Sequence, residues 1–162
     1  MLCVVTVIFA GTVMGYIASL RLKERQETLE QLYRFINDIK DLLRYSNAPV
    51  DRIVSSLLQK QHCDDEIIKA FTQKKTFEDN YKKLIETFFK SKRINAQDME
   101  LVSGFGEKIG KTDLEGQLVH CDFFIIKVNE QLRSAKEGYV RYSKLYLTAG
   151  VLSGLAAAIF VL

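Results

Sequence analysis

The sequence predicts an all-α chain: a hairpin of two membrane helices carrying a cytoplasmic helical bundle of about six helices between them. Three observations point there. All 23 Lys+Arg and all 20 Asp+Glu lie between Arg21 and Lys144, so residues 1–20 (MLCVVTVIFAGTVMGYIASL) and 145–162 (LYLTAGVLSGLAAAIFVL) carry no charge. A single proline, Pro49, interrupts the chain. Between the ends, apolar residues recur three and four apart, with no alternating strand pattern. The predicted division is 1–20 membrane helix, 21–144 cytoplasmic helical domain, 145–162 membrane helix.

A bilayer core of about 30 Å needs roughly 20 apolar residues in a helix, with about 17 as a lower limit, and both ends reach that length. The first end does not read as a cleaved signal. No basic residue precedes it, no small-x-small site closes it, and Cys3 sits too near the start to be a lipidated cysteine. Arg21, Lys23 and Arg25 follow the first span, and Lys136, Arg141 and Lys144 precede the second. Basic residues stay on the cytoplasmic side, which puts both termini outside. Tyr142 and Tyr146 suit the interface before the second span. Each span holds a Gly-x-x-x-Gly, Gly11 with Gly15 and Gly150 with Gly154. That spacing lets a second backbone approach closely on one helix face. The sequence leaves open whether the spans pair with each other or with other subunits.

From Glu24 to Tyr45, the stripe Leu29, Leu32, Ile36, Ile39, Leu43 marks an amphipathic helix that nothing separates from the first span. Ser46 to Pro49 stops it. Ile53, Val54, Leu57 and Leu58 mark a second helix, and Glu66 to Phe71 a short third. Thr76 with Asp79 reads as a capping box for a fourth, burying Phe77, Tyr81, Leu84, Ile85 and Phe88. Asn95 with Asp98 starts a fifth carrying Met99, Leu101, Val102 and Phe105. A sixth runs from Asp113 towards the second span, with Leu118, Phe124 or Ile125, Val128 and Leu132 on its apolar side.

The corner between the last two, GFGEKIGKTD from Gly104 to Asp113, has the look of a phosphate-binding loop. Such a loop needs a glycine five places before Gly110, and that residue is Phe105. It must also follow a buried strand, whereas the preceding residues are acidic and polar. The stretch reads instead as a helix–turn–helix corner. Gly110 ends one helix in a left-handed conformation, and Thr112 with Glu115 caps the next. Asp113, at the first position, opposes the positive helix end.

At this corner the chain resembles a known family. Phe105-Gly106, Ile109-Gly110, Thr112-Asp113 and Gly116-Gln117 are similar to the pattern F-G-x-x-L-G-x-[ST]-D-x-x-G-Q of stage III sporulation protein AB, with Ile109 where Leu is usual. Leu43-x-Tyr45-x-x-x-Pro49-Val50 resembles that family's turn after its first long helix, with Val50 where Leu is usual. The layout of span, helical domain and span agrees over essentially the whole chain. The resemblance implies a non-enzymatic part in endospore formation, in a set of membrane proteins that build a transport apparatus between mother cell and forespore. It implies a helical domain similar to the platform proteins of type II secretion and type IV pilus machines, which couple a cytoplasmic ATPase to assembly in the membrane. The partners implied are the companion ATPase, stage III sporulation protein AA, other membrane proteins of the apparatus, and the bilayer of the mother-cell membrane facing the forespore. Asp113 and Gln117, one turn apart, are candidate contacts to the ATPase, with a purely capping role as the alternative for Asp113.

An enzyme is the competing class. Both histidines begin the same tripeptide, His62-Cys63-Asp64 and His120-Cys121-Asp122, and two His with two Cys are a possible zinc set or Cys–His nucleophile. Adjacent residues on a helix diverge by about 100°, which argues against one shared metal. Ordinary, partly buried cysteines are the expectation, with no metal or cofactor. Lys74-Lys75, Lys82-Lys83 and Lys90-Ser91-Lys92-Arg93 are interrupted by Glu78, Asp79 and Glu86, so they read as a mixed solvated face rather than a nucleic-acid surface.

Overall fold

A computed structural model describes residues 2–46, 48–60, 68, 77–89, 92 and 94–161; within these, the side chains of 2–5, 7, 8, 87, 88 and 157–161 are not described. Every element among the described residues is helical. The order is α1 (Leu2–Tyr45), α2 (Val50–Lys60), α3 (Phe77–Leu84) running on into a π-helical turn (Ile85–Phe89), α4 (Ala96–Lys108) and α5 (Leu114–Val161). The expected all-α class holds. As expected, α1 runs without a break from the uncharged end to Tyr45. The expected third helix and the Thr76 cap lie outside the described residues. The exception is Ile68, which is helical and packs half-buried against the core.

The chain divides into two compact units, a terminal one of residues 1–27 and 133–162 and a central one of residues 28–132. In the central unit, the stripe Leu29, Leu32, Ile36, Ile39 and Leu43 is buried, as the helical spacing requires. From α2 come Val50, Ile53, Val54, Leu57 and Leu58, from α4 Val102 and Phe105, and from α5 Cys121, Phe124, Val128 and Leu132. Each such aliphatic or aromatic side chain contributes about 1.5–3 kcal/mol on full burial. Phe124 rather than its neighbour Ile125 is the deeper residue on α5.

α1 stops where Ser46 turns its hydroxyl onto the Leu42 carbonyl at 2.6 Å. Pro49 then caps α2, its carbonyl accepting from the amides of Arg52 and Ile53. Tyr45, the aromatic of the first turn motif, is exposed. On α3 and the π-helical turn that follows it, Tyr81, Leu84 and Ile85 are buried as expected, and so is Phe89. Phe88 has no described side chain.

In the terminal unit the two uncharged ends pack on each other through their glycines. A Cβ built on Gly11 would meet the Gly150 carbonyl oxygen at 2.7 Å, and one on Gly150 would meet the Gly11 carbonyl oxygen at 2.6 Å. A Cβ on Gly15 would collide with the Tyr146 carbonyl oxygen, and Gly154 backbone lies 3.1 Å from a Cβ on Gly11. The question the sequence left open is answered within one chain: these two helices pair with each other. Thr148 and Ser153 spend their hydroxyls on their own helix, on the carbonyls of Lys144 and Gly150 at 3.0 Å. Among the described residues no helix is long and apolar enough to cross a membrane. The two uncharged ends reach span length only with residues 1–5, 7, 8 and 157–162, which lie outside the described side chains.

Candidate functional site

The corner joining α4 to α5 collects the motif residues, and its geometry follows from a few local decisions. α4 opens with the expected capping box: Asn95 accepts from the Asp98 amide at 2.7 Å and the Asp98 carboxylate accepts from the Asn95 amide at 3.2 Å. Asp98 is fully buried in doing so. α4 ends at Lys108. Ile109 is extended (φ −64°, ψ 138°), Gly110 has φ +79°, and the Lys111 amide donates to the Lys108 carbonyl at 3.2 Å. This is a type II turn, whose third residue requires a positive φ and hence glycine. Space around Gly110 is open, the nearest foreign atom being 4.0 Å from a built Cβ, so the backbone alone demands glycine there. Ile109 anchors the turn in the core at 1% exposure.

The cap of α5 corrects the sequence reading by one residue. Asp113, not Thr112, is the N-cap: its Oδ1 accepts from the Gly116 amide at 3.0 Å and its carbonyl from the Gln117 amide at 3.0 Å. The helix starts at Leu114, so Glu115 is too early to close a capping box. Thr112 and Asp113 are both good caps, and only the turn geometry before them selects one. Gln117 folds back, donating from Nε2 to the Thr112 carbonyl at 2.8 Å. Gly116 leaves room for all this, since a Cβ there would meet Asp113 Oδ1 at 2.8 Å and Thr112 Oγ1 at 2.9 Å.

Beneath the corner lies an aromatic cluster that the sequence reading missed as a unit. Phe105 is fully buried between Tyr81 (edge-on, 6.1 Å), Phe124 (edge-on, 5.6 Å) and His120 (stacked, 5.6 Å). Tyr81 stacks on Phe77 at 5.7 Å and donates its hydroxyl to the Val102 carbonyl at 2.9 Å. Its burial raises the phenol further above its ordinary value. The ring lies directly over Gly106, where any Cβ would fall inside it. The Phe-Gly pair thus reads as a filler and the space its neighbour's ring needs.

Lys111 ties the corner back to α3. Glu78 accepts from Lys111 at 2.6 Å and from Lys82 at 3.0 Å. The hydrogen bonds from these two cations, Lys111 first, hold the Glu78 carboxyl down at about 2, and Glu78 in turn raises Lys82. A carboxylate depressed in the folded state contributes stability above its unfolded value and loses it as pH falls through the folded one. Acidification from about pH 4.5 to about pH 2 is therefore expected to release the corner from α3. Glu78→Gln should remove that part of the acid dependence in a thermal-melt series against pH. The pair is exposed, so the effect should be small and shrink with salt.

The tripeptide His120-Cys121-Asp122 is divided among three structural tasks. His120 places Nε2 2.9 Å from the Phe105 carbonyl oxygen, and Asp122 bonds Lys40 of α1 at 2.5 Å. Cys121 is fully buried, and burial, then the Asp122 charge, push its thiol up to about 12, against a weaker pull from Lys40. Burial thus favours the thiol over the thiolate at Cys121. His62-Cys63-Asp64 lies outside the described residues. Among the described residues no three His, Cys, Asp or Glu side chains are grouped to hold a metal.

The comparison with family models matches stage III sporulation protein AB over residues 1–162, the whole chain. The chain belongs to that family. Membership gives it a sporulation-related role. Neither curated proteins nor solved structures yield a match. In this family member the motif Phe105, Gly106, Gly110, Thr112, Asp113, Gly116, Gln117 is one continuous piece of architecture. Two residues fill or clear space for the aromatic cluster, one supplies a positive φ, and four build the start of α5. The second motif pair, Tyr45 and Pro49, brackets the α1–α2 turn.

Proposed function

We propose that the chain is a non-enzymatic platform of the sporulation apparatus: a membrane hairpin with both termini outside and its charged helical unit in the cytoplasm, docking a companion ATPase of the stage III sporulation protein AA type. Its place is the mother-cell membrane facing the forespore, beside other membrane proteins of the apparatus. The observation that carries this reading is the pairing of two uncharged helices, backbone to backbone, at Gly11, Gly15 and Gly150. Lipid supplies no hydrophobic drive for helix pairing, so close backbone packing through glycine is what a membrane hairpin needs. Large apolar side chains on this unit face outward, among them Phe9, Met14, Leu152 and Leu155, as lipid contact would require. Lys and Arg cluster on the same side of both helices along the sequence, which supports the orientation.

Asp113 is exposed and charged as well as capping, so the test must separate those roles. Asn caps a helix about as well as Asp but carries no charge, whereas Ala removes both, at about 1 kcal/mol. With full-length chain in detergent or vesicles, saturable binding of the companion ATPase is expected. Asp113→Asn should weaken it about tenfold with an unchanged melting temperature if the carboxylate touches the ATPase. Equal binding by wild type and Asp113→Asn would return the corner to capping while keeping the platform reading. No binding by any folded variant would remove the docking role. Gln117→Ala is the companion variant, and it also frees the Thr112 carbonyl.

A further inference from the structure

On α5, opposite the face that carries Cys121, Phe124 and Val128 into the core, three large apolar side chains stand out in solvent: Val119 at 64%, Phe123 at 54% and Ile126 at 60% exposure. They are spaced four and three apart, the d–a–d spacing of a coiled-coil seam. Glu130, at the next a position, ends the stripe. The formally charged residues that flank this seam between Val119 and Lys127 are Asp122, at g, and Lys127, at e. Both are exposed, and Lys127 lies over the Phe123 ring at 6.0 Å.

We propose that this stripe is where two copies of the chain pair, side by side and parallel, as a short coiled-coil seam. Charge selects both the occupant and its direction. In a parallel pair, g of one helix meets e five residues on in its partner, so Asp122 faces Lys127 of the second copy, twice by symmetry. In an antiparallel pair, g meets g and e meets e, so Asp122 cannot reach Lys127 of the second copy and both complementary contacts are lost. Glu115 and His120 occupy the preceding g and e positions and add no like-charge conflict in the parallel arrangement. Asp122 already bonds Lys40 through Oδ1, and a carboxylate has capacity for a second donor.

Three side chains fall short of the roughly 800 Å² per partner that a freely diffusing dimer needs. The pairing is therefore weak in solution and relies on copies being held together at one membrane, where local concentration is high. To that extent it rests on the membrane reading above. A shared membrane also imposes the parallel direction that the charges select.

The test is cysteine cross-linking of full-length chain in membranes, in a background with Cys3→Ser and Cys63→Ser. Cys121 stays, buried and silent. Val119→Cys and Ile126→Cys are each expected to cross-link to themselves at least about tenfold more than Glu100→Cys, an exposed control on α4. Asp122→Lys and Lys127→Glu, each combined with Ile126→Cys, should each lower self-cross-linking about tenfold. A mixture of the two chains should restore it, because each charge reversal then meets its complement. The proposal is overturned by cross-linking equal to that of Glu100→Cys, by Val119→Cys joining only Ile126→Cys of another copy, or by a mixture no better than its parts. Stripe cysteines that stay monomeric but are shielded from labelling by vesicles or by the ATPase would also overturn it, assigning the stripe to that other surface. Fractionation of the same samples keeps the two readings apart. A chain found outside the membrane pellet defeats the membrane reading, whereas a pelleted chain that does not cross-link defeats the pairing alone.

Discussion

Gly106→Ala is expected to destabilise the central unit by about 3 kcal/mol and lower its melting temperature by roughly 15 °C. The reason is local. The new methyl would stand inside the Tyr81 ring, which is 2% exposed and held between Phe77 and Phe105. Moving the ring breaks its hydroxyl bond to the Val102 carbonyl and leaves a buried donor without a partner, a loss of about 1–3 kcal/mol on top of the overpacking. Gly104, two residues earlier on the same helix, is the control. A Cβ there meets only the far edge of the Phe124 ring, at 3.3 Å, and the helix gains about 1 kcal/mol of propensity from Ala. Gly104→Ala should therefore be near neutral. In Gly106→Ala combined with Tyr81→Leu, the smaller side chain relieves the clash, so the double variant should cost less than the sum of the singles. Thermal melts of the four chains check this; strict additivity would mean that Tyr81 is not what excludes a side chain at 106.

The same cluster shows what a linear sequence carries and what it does not. Stripes such as Leu29–Leu43 and Ile53–Leu58 were legible because each helix buries a single face, and helical spacing records a single face directly. Much of the corner was legible for the same kind of reason: Asn95 and Gly110 act on backbone within a few residues of themselves. Two features were not. The cap fell on Asp113 rather than Thr112 because two adjacent good caps differ only in the turn that precedes them. Tyr81 over Gly106 joins residues from two helices, and no local pattern relates them. The exposed stripe did leave a trace. Phe123-Phe124-Ile125-Ile126 is an apolar run wider than one helix face can bury, so part of it had to face elsewhere.

Gly15→Ile should separate the two end helices, at about 3 kcal/mol or more of helix-pairing free energy, while Met14→Ile beside it should be silent. Gly15 is buried, and even its first added carbon would collide with the Tyr146 carbonyl oxygen and stand 3.2 Å from Gly150 Cα. Those are backbone atoms of a helix, which cannot swing aside as a side-chain tip can. Met14 is 73% exposed on the same helix, so an isoleucine there has nowhere to clash. On the proposed membrane reading, burying apolar area between helices brings little gain over lipid, so losing the close approach leaves little else to hold the pair. Protease resistance of full-length chain during a detergent titration is the measurement, with spore yield in a host lacking its own family member as the functional readout. Gly15→Ile should lose resistance early and reduce spore yield by about tenfold or more. It should still bind the companion ATPase, because the contact it breaks lies wholly within the terminal unit. Equal behaviour of Gly15→Ile and Met14→Ile would show that the hairpin is not held by its glycines. On the proposed platform reading, loss of ATPase binding together with pairing would mean that docking needs the two end helices closed on each other.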